Sequence, residues 1–386
     1  MMKLTQFELS KIGKNRTVLG ALVVSLFILF GIFYVGYHYS QENFSARDNV
    51  EAGYPAKLDK SIKEKYSGDL TDEKVKEIVS DYMEIWQDAK TDSALVFYPF
   101  YWDIQSTFIP RKNYDLFSVM LDKLENGQRL SVEEVPLKKL ADNDSQNFDK
   151  PLQLGNYVPW TDLYKVIGNL YVLISVLVAL VCSLVFSDDT SRNMNQILFT
   201  TKYGKSKSLI SKLLAGISAS TCLFVAIHII NFITFALMND ISGWKSSIQT
   251  NFAMKLFDFP MEWNHLQVFL CIIGLQFLGI LFVAATSVLV SSFVKTPLSS
   301  FATATGLYLL PALLMQAFKG NIVSKYLYFF PINQANVKNM LVLLSSEGDF
   351  FRTSVVSNLL LLSLFLLVSY VFFNFIAYRR MKVWRF

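Results

Sequence analysis

Histidine and cysteine are scarce in this 386-residue chain, which contains three of each. The histidines stand far apart along the sequence, and none begins a His-Glu-x-x-His motif, so their spacing assembles no zinc-type cluster. The cysteines all fall inside apolar runs, where they are typical of small buried hydrophobic residues and not of disulfides or metal ligands. The six residues are His38, His228, His265, Cys182, Cys222 and Cys271. The sequence therefore predicts no metal centre.

Motifs for nucleotide binding and nucleophilic catalysis are also missing. Gly204-Lys205-Ser206 resembles the end of a phosphate-binding loop, but that motif needs glycine at position 199, where this chain has Phe199. No Gly-x-Ser-x-Gly turn occurs. We therefore expect a chain that is not an enzyme, binds no cofactor itself and has no nucleic-acid partner. A membrane-embedded enzyme ranks last among the alternatives.

Charged residues make up only 17% of the chain, while hydrophobic residues make up 52%. Long stretches are nearly free of charge, and each reaches the roughly 20 residues that a membrane-spanning helix needs. The pattern predicts an all-α polytopic membrane protein that contacts lipid. Its six transmembrane helices are expected at residues 18–38, about 163–187, 209–239, 266–294, 297–318 and 354–378.

The few charges are distributed unevenly. Residues 39–160 carry 15 Lys and Arg against 22 Asp and Glu, whereas the rest of the chain carries 21 against 9. Because basic segments next to spans stay in the cytoplasm, both termini are expected to be cytoplasmic in a multi-pass plasma-membrane protein. Residues 1–17 are then an amphipathic surface helix, residues 379–386 a cytoplasmic tail, and residues 39–162 a mainly α extracellular domain between the first two spans.

The predicted extracellular domain contains two helix patterns and one aromatic segment. Thr71 is a good N-cap, and the residues after it that share one helical face predict a packed core: Val75, Ile78, Val79, Tyr82, Met83 and Trp86. A second helix is expected over Leu116 to Asn126. The Pro-broken aromatic segments, Tyr98 to Trp102 and Phe108 to Pro110, are expected to form a loop or edge region near the membrane interface.

A second extracellular loop is expected over residues 319–353, which is longer than a simple connection needs. Pro331 precedes a helical pattern of apolar residues, namely Ile332, Val337, Met340, Leu341, Leu343 and Leu344. Two arrangements stay open for this helix. It lies on the outer surface, or it dips into the membrane where protein or water covers its ends.

The most informative stretch is the basic loop between the second and third apolar runs, FSDDTSRNMNQILFTTKYGKSKSLISK, residues 186–212. Asp188 and Asp189 are expected to supply N-cap and first-turn acids for a short helix. Met194, Ile197 and Leu198 lie on that helix, and Gly204 after Tyr203 is expected to end it in a left-handed conformation. Residues 188–208 therefore form a structured cytoplasmic loop.

This arrangement resembles the cytoplasmic loop of ABC exporter permeases of the type-two class, in the subgroup with a large extracellular domain. The matching features are the apolar span, the acidic pair, the short helix, the Thr-Thr-Lys-Tyr-Gly-Lys turn and the Ser-Lys-Leu-Leu entry to the next span. The family also begins with a Glu-x-x-Lys pattern, here Glu8 to Lys11. It usually has Glu at the acidic pair, a Gly-Thr pair near Asn193-Met194, and Arg where this chain has Lys205.

The resemblance implies a bacterial permease subunit that moves a peptide, antimicrobial or lipid-like compound outward. ATP would be bound and hydrolysed by a separate dimer of ATPase subunits, and a second permease chain would complete the transporter. The residues implied in ATPase coupling are Asp188, Asp189, Arg192, Met194, Ile197, Leu198, Tyr203, Gly204 and Lys205. The alternative is a non-transporting receptor or immunity protein that acts through its extracellular domain.

Among the polar residues inside the third apolar run, a histidine and an asparagine stand out. His228 and Asn231 are three positions apart and share a helical face. Ionisable groups inside a membrane usually face protein or water, so the pair is a candidate for lining a substrate pathway. The other reading is that both residues make hydrogen bonds between helices and fix their packing.

Overall fold

The chain is almost entirely helical. The computed structural model describes residues 1–39, 54–88, 93–96, 98–110, 114–142, 150–345 and 351–383. Six of its helices are long and apolar enough to cross a membrane: Arg16–His38, Val158–Ser191, Gly204–Met238, His265–Phe293, Pro297–Ala317 and Val355–Lys382. Within the described ranges, the sheet consists of β1 (Gly68–Asp69) paired antiparallel with β2 (Gln153–Leu154). The expected all-α class and the count of six membrane-length helices are confirmed.

The chain divides into two compact units. The first, here called the bundle, comprises Met1–Phe33, Lys165–Thr234 and Cys271–Phe386. The second, here called the inserted unit, comprises Tyr34–Tyr164 and Phe235–Leu270. The chain begins with α1 (Met2–Gly13) and α2 (Arg16–Phe33), and a π-helical turn continues α2 through Tyr34–Tyr39. The inserted unit then contains α3 (Tyr54–Tyr66), α4 (Asp72–Gln87), α5 (Ser93–Val96), α6 (Pro99–Phe108) and α7 (Leu116–Glu125).

Helix α4 forms the centre of the inserted unit's hydrophobic core. Its N-cap is Thr71, whose side chain accepts a hydrogen bond from the backbone N–H of Lys74. Five of the six predicted core residues are buried, and Trp86 packs partly buried against the same core. The helix predicted after Thr71 is thus confirmed. So is the second one, α7, which has Asp115 as its N-cap.

The aromatic segment at 98–110 is a correction to the sequence analysis. It forms helix α6 and not the expected loop, and Phe100, Tyr101 and Phe108 are buried in the core. Pro99 occupies the first turn of the helix, where its missing N–H costs no hydrogen bond, and Pro110 lies beyond the C-cap. The two prolines therefore bound a helix and do not break one.

One carboxyl group in the inserted unit is buried without full compensation. Asp59 on α3 lies near the charges of Asp162 and Asp240, and its Oδ1 atom has no hydrogen-bond partner among the described residues. Lys63, one turn further along α3, pairs with Asp240 at 3.2 Å. Burial, reinforced by the two neighbouring carboxylates, raises the pKa of Asp59 to about 8.

The remaining helices belong largely to the bundle. They are α8 (Val158–Ser191), α9 (Met194–Thr200), α10 (Leu209–Met238), α11 (His265–Phe293), α12 (Pro297–Ala317), α13 (Ile322–Leu327), α14 (Val337–Ser345) and α15 (Val355–Lys382). A π-helical turn, Gly204–Ser208, precedes α10. Helix α15 continues through Arg379 and Arg380, which were expected in a separate tail, because basic residues are favourable in the last turn of a helix. Residues 384–386 of that tail lie outside the described residues.

The segment between α12 and α15 packs deep within the bundle. Phe330 contacts Phe282, with ring centroids 6.2 Å apart, and Phe282 lies about 17 Å along α11 from the end at Phe293. The Ala335 carbonyl approaches Gly168 so closely that a Cβ there would lie 2.2 Å from the oxygen. The single helix expected after Pro331 is split into a 3₁₀ turn, Pro331–Gln334, and α14. Of the two open arrangements, the contacts favour the segment that dips inward.

Candidate coupling site

A sharp turn joins α9 to the end of α8. Asn193 has a positive φ of 56°, a left-handed conformation that asparagine tolerates better than most residues. The Asn195 side chain is buried and donates a hydrogen bond to the Thr190 hydroxyl at 2.7 Å. Thr190 in turn donates to the Phe186 carbonyl, one turn back along α8, at 2.9 Å. The direction of α9 is therefore set by α8.

The outer face of α9 carries two apolar side chains. Met194 is 41% exposed and Ile197 is 63% exposed, while Leu198 is half-buried and Phe199 is buried. A short helix usually turns such side chains toward its own protein. Met194 and Ile197 are instead available to a partner, whereas Leu198 and Phe199 hold the helix in place.

The return from α9 to α10 depends on Gly204. A Cβ on this residue would lie 1.7 Å from the Leu198 carbonyl oxygen, so only glycine fits. This corrects the expectation of a left-handed cap, because Gly204 has no positive φ and α9 already ends at Thr200, capped by Thr201. The next residue, Lys205, places its Nζ 5.6 Å from the Phe199 ring centroid. Tyr203 is 45% exposed, between the ammonium groups of Lys202 and Lys207.

A buried network of ion pairs lies beneath this loop and joins three helices. Lys212, at the start of α10, is only 3% exposed and lies 2.5 Å from Asp189 Oδ2 and 2.9 Å from Glu8 Oε1. Lys11 on α1 bonds to Asp189 and lies 3.2 Å from Asp188 Oδ2. The network therefore ties α1 to the adjoining ends of α8 and α10.

The charges in this network compensate one another. Burial alone would lower the pKa of Lys11, but the hydrogen bond and charge of Asp189, together with those of Asp188, raise the pKa above its usual value. Lys11 thus stays charged at neutral pH. Arg192 adds an exposed bond from its Nε to Asp188 Oδ1 at 3.1 Å, one turn along the chain.

The acidic pair has a different role from the one predicted. Asp188 and Asp189 do not cap α9; they lie in the last turn of α8 and are 6% and 5% exposed. Acids are unfavourable at a helix C-terminus. Here Lys11 and Lys212 offset that cost, and neither lysine is near the acids in sequence.

The sequence analysis missed three members of this network: Glu8, Lys11 and Lys212. Glu8 and Lys11 were noted only as a pattern shared with a family, and Lys212 only within the Ser-Lys-Leu-Leu entry to the next span. A signal was present. Lys212 directly precedes a long apolar run, and two acids directly follow another, so opposite charges flank the neighbouring ends of two long helices.

The two candidate pathway residues are both buried on α10. His228 is 9% exposed, and its ring lies 4.3 Å from the Phe224 ring, measured between centroids. Neither of its nitrogens has a hydrogen-bond partner in the part of the chain that the structure describes. Asn231 is 1% exposed. Their part in a pathway stays a prediction.

Comparison with known proteins identifies no relative: no family model, curated protein or solved structure matches this chain.

Proposed function

We propose that this chain is the membrane-spanning permease subunit of an ABC exporter, with α9 as the helix that docks on a separate ATPase subunit. The observation that carries the proposal is the exposed apolar face of α9, Met194 and Ile197, on a helix fixed to its neighbours. Helix-in-groove contacts rest on a few apolar anchors of this kind. An ordinary connecting loop needs no such face.

The mechanism follows from how α9 is attached. A displacement of α9 is transmitted to α8 through the Asn195–Thr190 hydrogen bond and to α10 through the tight turn at Gly204. Because the ion pairs of Lys11 and Lys212 connect α1 to α8 and α10, α1 would move together with these two helices. ATP hydrolysis in the partner would thus tilt three bundle helices together and reorient the spans, and substrate would move outward.

The proposal includes an orientation and a stoichiometry. The basic loop and both termini lie in the cytoplasm of a bacterial cell, since lysine and arginine concentrate in these segments. The acidic inserted unit is then extracellular. Two permease chains and two ATPase chains form the working transporter, as the family resemblance implies. The cargo is a peptide, an antimicrobial or a lipid-like compound.

The test is retention of ATPase on the tagged chain, purified in mild detergent after co-expression with an ATPase encoded beside it. Replacing Met194 and Ile197 together by serine removes both exposed anchors, each worth more than about 1 kcal/mol if it is a hot spot. We expect at least a roughly tenfold loss of retained ATPase, measured by quantitative mass spectrometry.

A matched control uses the polar positions of the same helix. Gln196 and Thr200 are exposed, and the double variant Gln196→Ser, Thr200→Ser should keep the ATPase. Membrane insertion should be normal in both variants, because no changed residue lies in a membrane-length helix. Equal retention by the two double variants would remove α9 as the docking helix.

One observation favours the receptor or immunity alternative. The inserted unit has its own hydrophobic core, centred on α4, and so is built as a folded module. Under this alternative no ATPase copurifies with the unaltered chain. Deletion of the inserted unit would abolish the receptor or immunity activity in cells while leaving the bundle in the membrane.

A further inference from the structure

A sizeable cavity lies in the bundle, away from the candidate coupling site. It has a volume of about 250 Å³ and lies among α11, α12 and α15, with Phe330 and Pro331 of the inward-dipping segment at one side. The lining used below comprises Phe282, Thr286, Ser287, Ala304, Leu307 and Phe373. By comparison, an apolar cavity of about 150 Å³ in another protein is large enough to bind benzene.

The lining is largely apolar, although it includes three hydroxyl residues, Thr286, Ser287 and Tyr308. Thr286 donates its hydroxyl to the Phe282 carbonyl at 2.9 Å, and Ser287 donates to the Val283 carbonyl at 2.7 Å. These two hydroxyls are therefore satisfied by their own helix, while the Tyr308 hydroxyl has no hydrogen-bond partner among the described residues. Water needs two to four polar partners to be held in a cavity. Hydrocarbon fits these walls better than water does.

The cavity opens toward the apolar outer surface of the bundle. Leu307, which lines it, is 46% exposed, and Leu310 one turn on is 44% exposed. On α15, Val371 and Phe372 precede the lining residue Phe373 and are 58% and 56% exposed. These exposed side chains belong to membrane-length helices. An acyl chain of the surrounding lipid can thus enter sideways.

Cationic side chains lie at one end of the same helices. Arg380 stacks on the Phe293 ring at 5.2 Å, at the end of α11, and Arg379 stacks on the Phe375 ring at 5.2 Å. Arg380 is seven residues beyond Phe373, about 10 Å along α15. The Gly204–Ser208 turn also packs against α15. Arginine is well suited to bind a phosphate group.

We propose that this cavity binds one acyl chain of an anionic phospholipid, with the lipid phosphate at Arg380. The apolar cavity and the cationic end lie in the same order as the acyl chain and the phosphate of a phospholipid in a membrane leaflet. The lateral opening is where the acyl chain would enter. The proposal rests on the membrane embedding proposed above, but it is independent of any ATPase. The bound lipid is a resident of the fold and not the exported cargo.

The experiment is native mass spectrometry of the full chain in detergent, with no ATPase present and with added phosphatidylglycerol or phosphatidylcholine. The unaltered chain should retain phosphatidylglycerol preferentially. Ala304→Phe fills the cavity and should reduce retention of both lipids roughly tenfold or more, because the methylenes lose their apolar contacts. Leu364→Phe is the matched control, since Leu364 is 59% exposed on α15 and lines no part of the cavity.

The headgroup contact has its own pair of variants. Arg380→Gln should reduce the preference for phosphatidylglycerol over phosphatidylcholine roughly fivefold or more, which corresponds to loss of a charge-assisted contact. Lys3→Gln removes the same charge from an exposed position on α1 and should leave the preference intact. An unchanged preference in Arg380→Gln would overturn the placement of the phosphate.

A second measurement uses the unaltered chain, so that no variant has to fold. Phosphatidylglycerol with a photoreactive diazirine on its acyl chain is added, and adducts are mapped by peptide sequencing. Adducts should concentrate on residues 282–290 and 304–308. Adducts spread over the exposed positions of α15, with none at the cavity, would overturn the proposal even if the ATPase docks on α9 as proposed.

Discussion

Replacing Lys212 by methionine is expected to lower the free energy of unfolding by about 3–5 kcal/mol. Lys212 is 3% exposed and pairs with both Glu8 and Asp189, so its loss leaves carboxylates in a buried position without their main counter-charge. Methionine keeps most of the volume, so the effect reports on charge and not on packing. The measurement is chemical unfolding of the purified chain in detergent, followed by the loss of helical circular dichroism.

Two further variants separate the network from a general effect of removing lysine. Lys207→Met removes an exposed lysine of the preceding turn and should change the free energy of unfolding by less than about 0.5 kcal/mol. Adding Glu8→Gln and Asp189→Asn to Lys212→Met neutralises the stranded acids and should restore much of the lost stability. If the triple variant were as unstable as the single one, the ion pairs would not be what stabilises this region.

Replacing Val79 by aspartate should destabilise the inserted unit by more than about 3 kcal/mol. Val79 is 2% exposed and packs in a cluster of buried hydrophobic side chains. The carboxylate would have to ionise in an apolar environment or remain neutral through a raised pKa. Limited proteolysis of the purified chain should then cut within residues 54–142 much faster than in the parent.

The cost of the new charge can be distinguished from the cost of lost volume. Val79→Ala removes only the two methyl groups and should cost about 2 kcal/mol. Ser80→Asp puts the same charge at the neighbouring half-buried position and should cost less than Val79→Asp. Equal protease resistance in Val79→Asp and the parent would mean that this face of α4 is not a core.

Local features of the fold were predictable from the sequence because they depend on neighbouring residues. The six long apolar runs and the capped, one-faced helix after Thr71 are set by hydrophobic spacing and by one N-cap. Helix α6 was missed because Pro99 and Pro110 suggested a break, whereas each stands at a position that a helix tolerates. A proline in the first turn of a helix or just after its end is tolerated, whereas a proline in the middle would break it.

The candidate coupling site was only partly predictable. The sequence placed Met194 and Ile197 on a short helix, where apolar side chains are usually buried, so their exposure is known only from the structure. The burial of Asp188 and Asp189 depends on Lys11, more than 170 residues away in the chain. An acidic pair next to a basic loop looks the same whether it caps the following helix or ends the preceding one. Only the packing of α1 against α8 decides between them.

Asp59 links folding of the inserted unit to proton uptake. Its pKa rises from 3.8 to about 8, first through burial and then through Asp162 and Asp240. Between these two values the folded unit holds a proton that the unfolded chain has released, so stability falls by about 1.4 kcal/mol per pH unit as the pH rises. Unfolding curves at pH 5 and pH 8 should therefore differ more in the parent than in Asp59→Asn, and equal differences would contradict this linkage. A low pH therefore stabilises the folded inserted unit, and a high pH destabilises it.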